Sequence, residues 1–428
     1  MRIIKGNRAA AFIRLLKQRA SASTVEGDIW KTVGKIIADV KRQGDKAVKK
    51  YTEKFDSIKP EGLAINREEI EASAKGSEDN FLKALGHAAQ RIRTFHERQR
   101  ERSWQFTENG VTVGQIIRPL ERVGVYVPGG KAAYPSTVLM NVIPAQVAGV
   151  KEIALCVPTP GGKINPYVAA AIKLLNVKEV YRIGGAQAVA ALAYGTETIK
   201  KVDKIVGPGN VFVAVAKRIV FGDVGIDMIA GPSEVLIIAD KTADPAFIAS
   251  DLLSQAEHDE MASSILITDS EALAEKAQAE LSKQLRNLKR KDIAKRSLRK
   301  YGAIIVTKDM DSSVEIANRI APEHLEIMTR RPSSLLPGIK NAGAVFLGKW
   351  TPEPLGDYAA GPNHTLPTSG TARFSSPLGV YDFIKRTSLI NAAKEGFDKL
   401  AGTVETLAAV EGLEAHGNTI RVRQASKK

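Results

Sequence analysis

Apolar positions along the chain fall into two repeating series. Short, β-branched runs at Val123–Val127, Glu152–Val157, Glu179–Ile183 and Lys204–Val206 begin 25 to 29 residues apart. Between them, Val138–Ala148, Val168–Leu175 and Ala186–Ala193 have helical character. Strand, helix, strand at that interval predicts right-handed βαβ crossovers and a parallel sheet. A second series, Val235–Ala239, Ser264–Thr268, Ala303–Val306 and Ala344–Leu347, alternates with helical stretches at Phe247–Glu257, Glu271–Leu285 and Ser313–Arg319. Two α/β halves follow, meeting near Gly231-Pro232 and near Arg122. Upstream, Gly27 to His96 predicts mostly helix, for example Trp30–Lys41 and Asp79–Glu97. Val380 to Lys428 reads as helical with a polar tail. Residues 351–377 contain five prolines and three glycines, which predicts an irregular loop of functional rather than connecting length.

Composition narrows the class. With 428 residues, 44% hydrophobic and 25% charged, the chain can bury a substantial core and is not disordered. It has no apolar run approaching the roughly eighteen residues of a membrane span. Its single cysteine, Cys156, excludes a disulfide scaffold and lies in the apolar run 153–157, so it reads as a buried strand thiol. The net charge of +15 is concentrated in Lys283–Lys300, with nine basic residues and one acidic. That stretch reads as a helix with Leu285 and Leu288 inward and a solvated basic face. It has no aromatic residue for base stacking, so nucleic acid is not an expected partner. Residues 1–25 carry six basic residues and no acid, a pattern shared by plastid transit peptides and by amphipathic arms. The arm is the reading adopted, with a cytoplasmic location.

The six histidines separate by context. His87 and His96 lie on a polar helical stretch and read as surface groups. Gln255 and His258 are three apart at a helix end, so both project from one face and can share a metal; a helix-end hydrogen bond accounts for the spacing equally well. Asp357 offers a hard oxygen in the Gly/Pro-rich loop, and His416 a further imidazole. Such a nitrogen and oxygen set suits zinc, although spacing does not show convergence. In Pro322-Glu323-His324 the imidazole can take an alcohol proton and the carboxylate can activate water, unless the turn is a surface ion pair. Glycine follows three of the four strands of the first series, in Pro128-Gly129-Gly130, Gly184-Gly185-Ala186-Gln187 and Gly207-Pro208-Gly209-Asn210. Glycine at the carboxyl ends of parallel strands lets a phosphate or dinucleotide approach backbone amides.

Taken together these segments closely resemble the histidinol dehydrogenase family. The resemblance is most specific in Ile226-Asp227, in Ala230-Gly231-Pro232-Ser233-Glu234 and in Ser250 to His258. Gly124 to Gly130, Ala321-Pro322-Glu323-His324-Leu325 and Asn363-His364-Thr365-Leu366-Pro367 support it. It implies two incomplete Rossmann-like, aldehyde-dehydrogenase-like parallel-sheet lobes with helical terminal segments. Residues 123–234 would form the NAD-binding lobe, and 25–122 with 235–378 the catalytic lobe. Residues 1–24 would form a helical arm, and 379–428 a helical segment crossing to the other subunit of a homodimer. The implied zinc ligands are Gln255, His258, Asp357 and His416. Glu323 and His324 would be catalytic, Tyr126, Gln187 and Asn210 would contact NAD, and Ser233, His364 and Glu411 would contact substrate together with His324 and the zinc ligands. The implied reaction oxidises L-histidinol to L-histidine through the aldehyde with two NAD, completing histidine biosynthesis. Relatives in the family oxidise other polar alcohols, such as a sulfonated propanediol; the presence of both Glu411 and His364 favours histidinol.

Overall fold

Amphipathic spacing explains the first elements of the computed structural model, which describes residues 1–5, 8–25, 27–57, 59–129 and 133–426. After a short strand β1 (Arg2–Lys5) come helices α1 (Ala9–Val25), α2 (Gly27–Gln43), α3 (Asp45–Asp56), α4 (Arg67–Ala74) and α5 (Asp79–Glu97). In α2 the buried apolar residues are Val33, Ile36, Ile37 and Val40, one stripe of a 3.6-residue period. The chain separates into two units: Met1–Gln99 with Leu120–Phe383, and Arg100–Pro119 with Ile384 onward.

The first unit holds two parallel sheets. One runs through β4 (Arg122–Tyr126), β5 (Glu152–Cys156), β6 (Glu179–Tyr181), β7 (Lys204–Val206) and β8 (Gly225–Ile226), in the order β6-β5-β4-β7-β8. Its crossovers are α6 (Pro135–Ala148), α7 (Pro166–Leu174), α8 (Gly185–Tyr194) and α9 (Val211–Val220). The starts of α7 and α9 are fixed locally, because Asn165 and Asn210 accept the orphan N–H groups of their first turns. The other sheet uses β9 (Glu234–Ala239), β10 (Ser263–Thr268), β11 (Ala303–Val306), β12 (His324–Met328) and β13 (Ala344–Leu347). Its order is β1-β11-β10-β9-β12-β13, all parallel. Helices α10 (Pro245–Ala256), α11 (Glu271–Leu285), α12 (Lys291–Tyr301) and α13 (Met310–Ile320) connect it, and α14 (Glu353–Tyr358) follows β13. Strands β9, β10 and β12 are buried along their whole length, as a parallel sheet covered on both faces requires.

The second unit pairs β2 (Trp104–Glu108) and β3 (Val111–Pro119) with β14 (Ile384–Ala392) as an antiparallel sheet, order β14-β3-β2. Helices α15 (Lys394–Val410) and α16 (Glu414–Ala425) pack on one another there.

Several sequence expectations are corrected. The basic segment 1–24, read as an arm packing on the body or on a partner, opens with a strand as well as a helix: β1 adds to β11, and α1 buries Ala9, Phe12, Ile13 and Leu16 in the core of the six-stranded sheet. Residues 27–98, grouped from sequence with the catalytic half, pack instead on the five-stranded sheet. Val33, Ile37 and Val48 share a core with Ala154 and Ile205, and Leu85 and Ile92 one with Val123 and Leu155. The C-terminal segment, read as helical from Val380, includes a nine-residue strand at Ile384–Ala392 before its helices. Alternation was weak there because most of its side chains are exposed. Lys283–Lys300 is broken between α11 and α12 rather than one helix, and the 351–377 loop contains the short helix α14.

Candidate active site

Strand β12 opens with His324, and β9, hydrogen-bonded beside it, opens with Glu234, so both side chains lie at the amino ends of the six-stranded sheet. Glu323 and His324 are buried. The backbone of Glu234 engages both: its N–H donates to Glu323 Oε2 at 2.9 Å, and its carbonyl lies 2.9 Å from His324 Nδ1. A carbonyl only accepts, so Nδ1 carries the proton and Nε2 is the free, basic nitrogen. His324 Nε2 makes no hydrogen bond and lies 3.6 Å from Asp357 Oδ1 and 3.9 Å from Glu353 Oε1. Glu323 Oε2 is 3.8 Å from Nδ1. The ligand atoms of His324, Glu353 and Asp357 all fall within 4.8 Å of one another.

Electrostatics follow from burial among carboxylates. Burial disfavours the imidazolium, yet Glu323, Asp357 and Glu353 outweigh it and push His324 up to about 10. Burial pushes Glu323 up to about 7. Glu353 rises to about 8, through burial and then the charge of Asp357. For Asp357 burial acts upward, but the contact with His324 dominates and holds the carboxyl at about 2. Asp251 and Glu326 are buried as well, and burial raises both carboxyls. Glu326 also accepts the N–H of Glu353 at 2.8 Å, which fixes the start of α14.

The structure brings some sequence-singled residues together. At the end of α10 and just beyond it, Gln255 Nε2 and His258 Nδ1 are 3.5 Å apart; Gln255 is fully buried with Oε1 unpartnered, and His258 is exposed. The fields of Asp357 and His324 reach His258. His364 Nδ1 bonds to the carbonyl of Asp357 at 3.0 Å, and Ser233 directly precedes Glu234. Glu411 and His416 belong to the second unit, where both are exposed.

The glycine turns lie at the carboxyl ends of β4, β6 and β7. Tyr126 ends β4, and its hydroxyl accepts the Gly185 N–H at 3.2 Å. Gln187 is buried on α8 with Oε1 unpartnered. Asn210 is exposed, its side chain capping α9. Gly207 has φ +113°, and a Cβ there would sit 2.1 Å from the Tyr126 carbonyl oxygen, so only glycine fits. The buried pair Lys217–Asp227 grips this turn: Asp227 accepts the Gly207 N–H, and Lys217 donates to its carbonyl. Gly130 lies outside the described residues.

Sequence reading missed Glu353, Glu326, Asp251 and Glu234. For Glu326, Asp251 and Glu234 the signal was an ionisable residue beside or inside an apolar buried stretch, such as Leu325-Glu326-Ile327, where an unpaired charge is costly; Glu353, between two prolines, carried none. It also misplaced His96, read as a surface group. That ring is fully buried, with Nδ1 2.8 Å from the Ile92 carbonyl. Nε2 lies 3.4 Å from Asn363, the residue preceding His364.

Comparison with known proteins identifies the family. The histidinol dehydrogenase family model matches residues 18–424. The histidinol dehydrogenase of Aquifex aeolicus (strain VF5) is 55% identical over 402 residues, covering 94% of this chain and 93% of the relative. The crystal structure of histidinol dehydrogenase from Elizabethkingia anophelis superposes with a TM-score of 0.89 at 41% identity, covering 92% of each chain. A probable aldehyde dehydrogenase from Listeria monocytogenes EGD-e, 10% identical over 90% of this chain and 97% of its own, has a TM-score of 0.50 and shares the fold alone. A match over nearly the whole length, at this identity, means that the chain belongs to the histidinol dehydrogenase family.

Proposed function

We propose that the chain is a zinc- and NAD-dependent oxidoreductase that converts L-histidinol to L-histidine through L-histidinal. The observation that carries this reading is the buried His324 ring, tethered at Nδ1 and free at Nε2, with the Glu323 carboxyl beside it.

The donor set fits a cation. Gln255 Oε1, His324 Nε2 and Glu353 Oε1 are buried without hydrogen-bond partners, and carboxylates crowd one imidazole. A mixed nitrogen and oxygen set suits zinc. Gln255, His258 and Asp357 would hold it, together with His416 of the partner subunit in a homodimer. Bound zinc would orient the amine and imidazole nitrogens of the substrate and offset the charge of Asp357. Glu323, Asp357 and Glu353 together raise His324, and a cation held by Asp357 would offset part of that charge and favour the base form of Nε2.

In the first oxidation His324 Nε2 takes the hydroxyl proton while the carbinol hydride leaves for NAD. Glu323, raised to about 7, then takes a proton from water as it adds to the aldehyde. His324 takes the hydrate proton in the second hydride transfer. Tyr126, Gln187 and Asn210 would line the NAD site at the carboxyl ends of the five-stranded sheet. Ser233 and His364, with Glu411 of the partner subunit, would select the histidinol side chain. Following NADH formation with L-histidinol, before and after chelation and zinc readdition, tests the reading. Turnover that ignores chelation would remove zinc from it.

A further inference from the structure

Beneath the catalytic pair lies a buried ion pair that joins it to the N-terminal helix. Arg19 on α1 is 2% exposed; its guanidinium pairs with the Glu234 carboxylate and donates to the Met261 carbonyl at 2.7 Å, with its Cζ 5.4 Å from the centre of the Tyr301 ring. Glu234 is 4% exposed, and its second carboxylate oxygen has no partner. Its own backbone N–H and carbonyl hold Glu323 Oε2 and His324 Nδ1. A carboxylate on the very residue whose backbone holds both reacting groups, in a medium where charges are weakly screened, acts on both. Arg19 is the cation in contact with it.

We propose that Arg19 is a positioning residue of the active site: by cancelling the buried charge of Glu234 it keeps the field at Glu323 and His324 in its working state. This makes the basic N-terminal segment part of the catalytic apparatus rather than a removable arm. The inference rests on the reading of Glu323 and His324 as the catalytic pair.

A double-mutant cycle on the full-length, zinc-loaded protein tests it, using Arg19→Met, Glu234→Gln and the two combined, with Arg19→Lys as the conservative variant. Arg19→Met leaves a buried carboxylate unpaired, and Glu234→Gln a buried guanidinium. Each should lower kcat about 10-fold or more, while KM for histidinol and for NAD stays within about twofold. The combined variant, with neither charge, should recover most of the lost kcat, and Arg19→Lys part of it. A merely structural contact predicts additive losses instead, and a normal kcat in folded Arg19→Met or additive losses in the combination would overturn the proposal. Where Arg19→Met does not fold, the combined variant decides: folded and active supports the proposal, folded and inactive overturns it. Failure of the underlying reading would show separately, as full histidinol oxidation in Glu323→Gln and His324→Ala.

Discussion

Replacing Glu323 by glutamine separates the two oxidations. The substitution keeps side-chain shape and an oxygen that can still accept the Glu234 N–H now 2.9 Å from Oε2. It removes the ability to take a proton. Positioned general bases contribute about 10²- to 10⁴-fold, equivalent to about 3–5 kcal/mol of barrier. Only hydration of the aldehyde consumes water, so that loss should fall on histidinal oxidation and largely spare the first hydride transfer from histidinol. The pH dependence carries the same signature. The carboxyl titrates near 7 and acts only when ionised, so in the unaltered protein histidinal oxidation should fall about tenfold per unit on the acid side of 7. In the glutamine variant that limb should vanish. Stopped-flow NADH formation with histidinol and with histidinal supplied separately, across pH 5.5 to 9, measures both effects, and the NADH yield per histidinol should drop from two toward one. Equal losses on the two substrates, or an unchanged acid limb, would refute the assignment of water activation to Glu323.

Three further outcomes follow. Asp357→Asn replaces an anionic oxygen by a neutral one and should lower zinc content and kcat together while circular dichroism stays native; full zinc retention with normal turnover would remove Asp357 from the ligand set. Cys156 is fully buried in β5, and burial raises its thiol well above the ordinary range. Cys156→Ala should therefore keep both oxidation steps at a stability cost of about 1 kcal/mol, whereas loss of aldehyde oxidation alone would require a thiohemiacetal route. Gly207→Ala forces a Cβ to 2.1 Å from the Tyr126 carbonyl oxygen at φ +113°. The strain should cost at least about 1–3 kcal/mol and weaken NAD binding in a fluorescence titration, with histidinol KM little changed.

Parallel strands bordered by glycine were legible because their apolar runs are dense and their turns demand special backbone. The runs predicted at 204–206, 303–306 and 344–347 coincide with β7, β11 and β13. Strand β12 was harder to see: Glu326 interrupts its apolar run, and the Pro322-Glu323-His324 turn drew attention to the loop rather than the strand. The antiparallel sheet of β2, β3 and β14 was missed because its side chains are largely exposed, so hydrophobic alternation leaves little imprint. At the site, the potential ligands and the Glu323-His324 pair stood out by residue type. Glu353 did not, because its meaning arises only when α14 folds back onto His324, a contact between positions 29 residues apart in sequence. Arg19 was equally silent, since a single arginine in a basic segment gives no hint of a partner 215 residues away.

The most direct measurement is the stoichiometry of NAD reduction by the zinc-loaded protein with limiting L-histidinol, with histidine quantified in the same sample. Two NADH should appear for each histidine formed, both lost on chelation and both recovered when zinc is returned. NADH formation without histidine, or none at all from histidinol in a folded, zinc-loaded preparation, would contradict the proposed reaction.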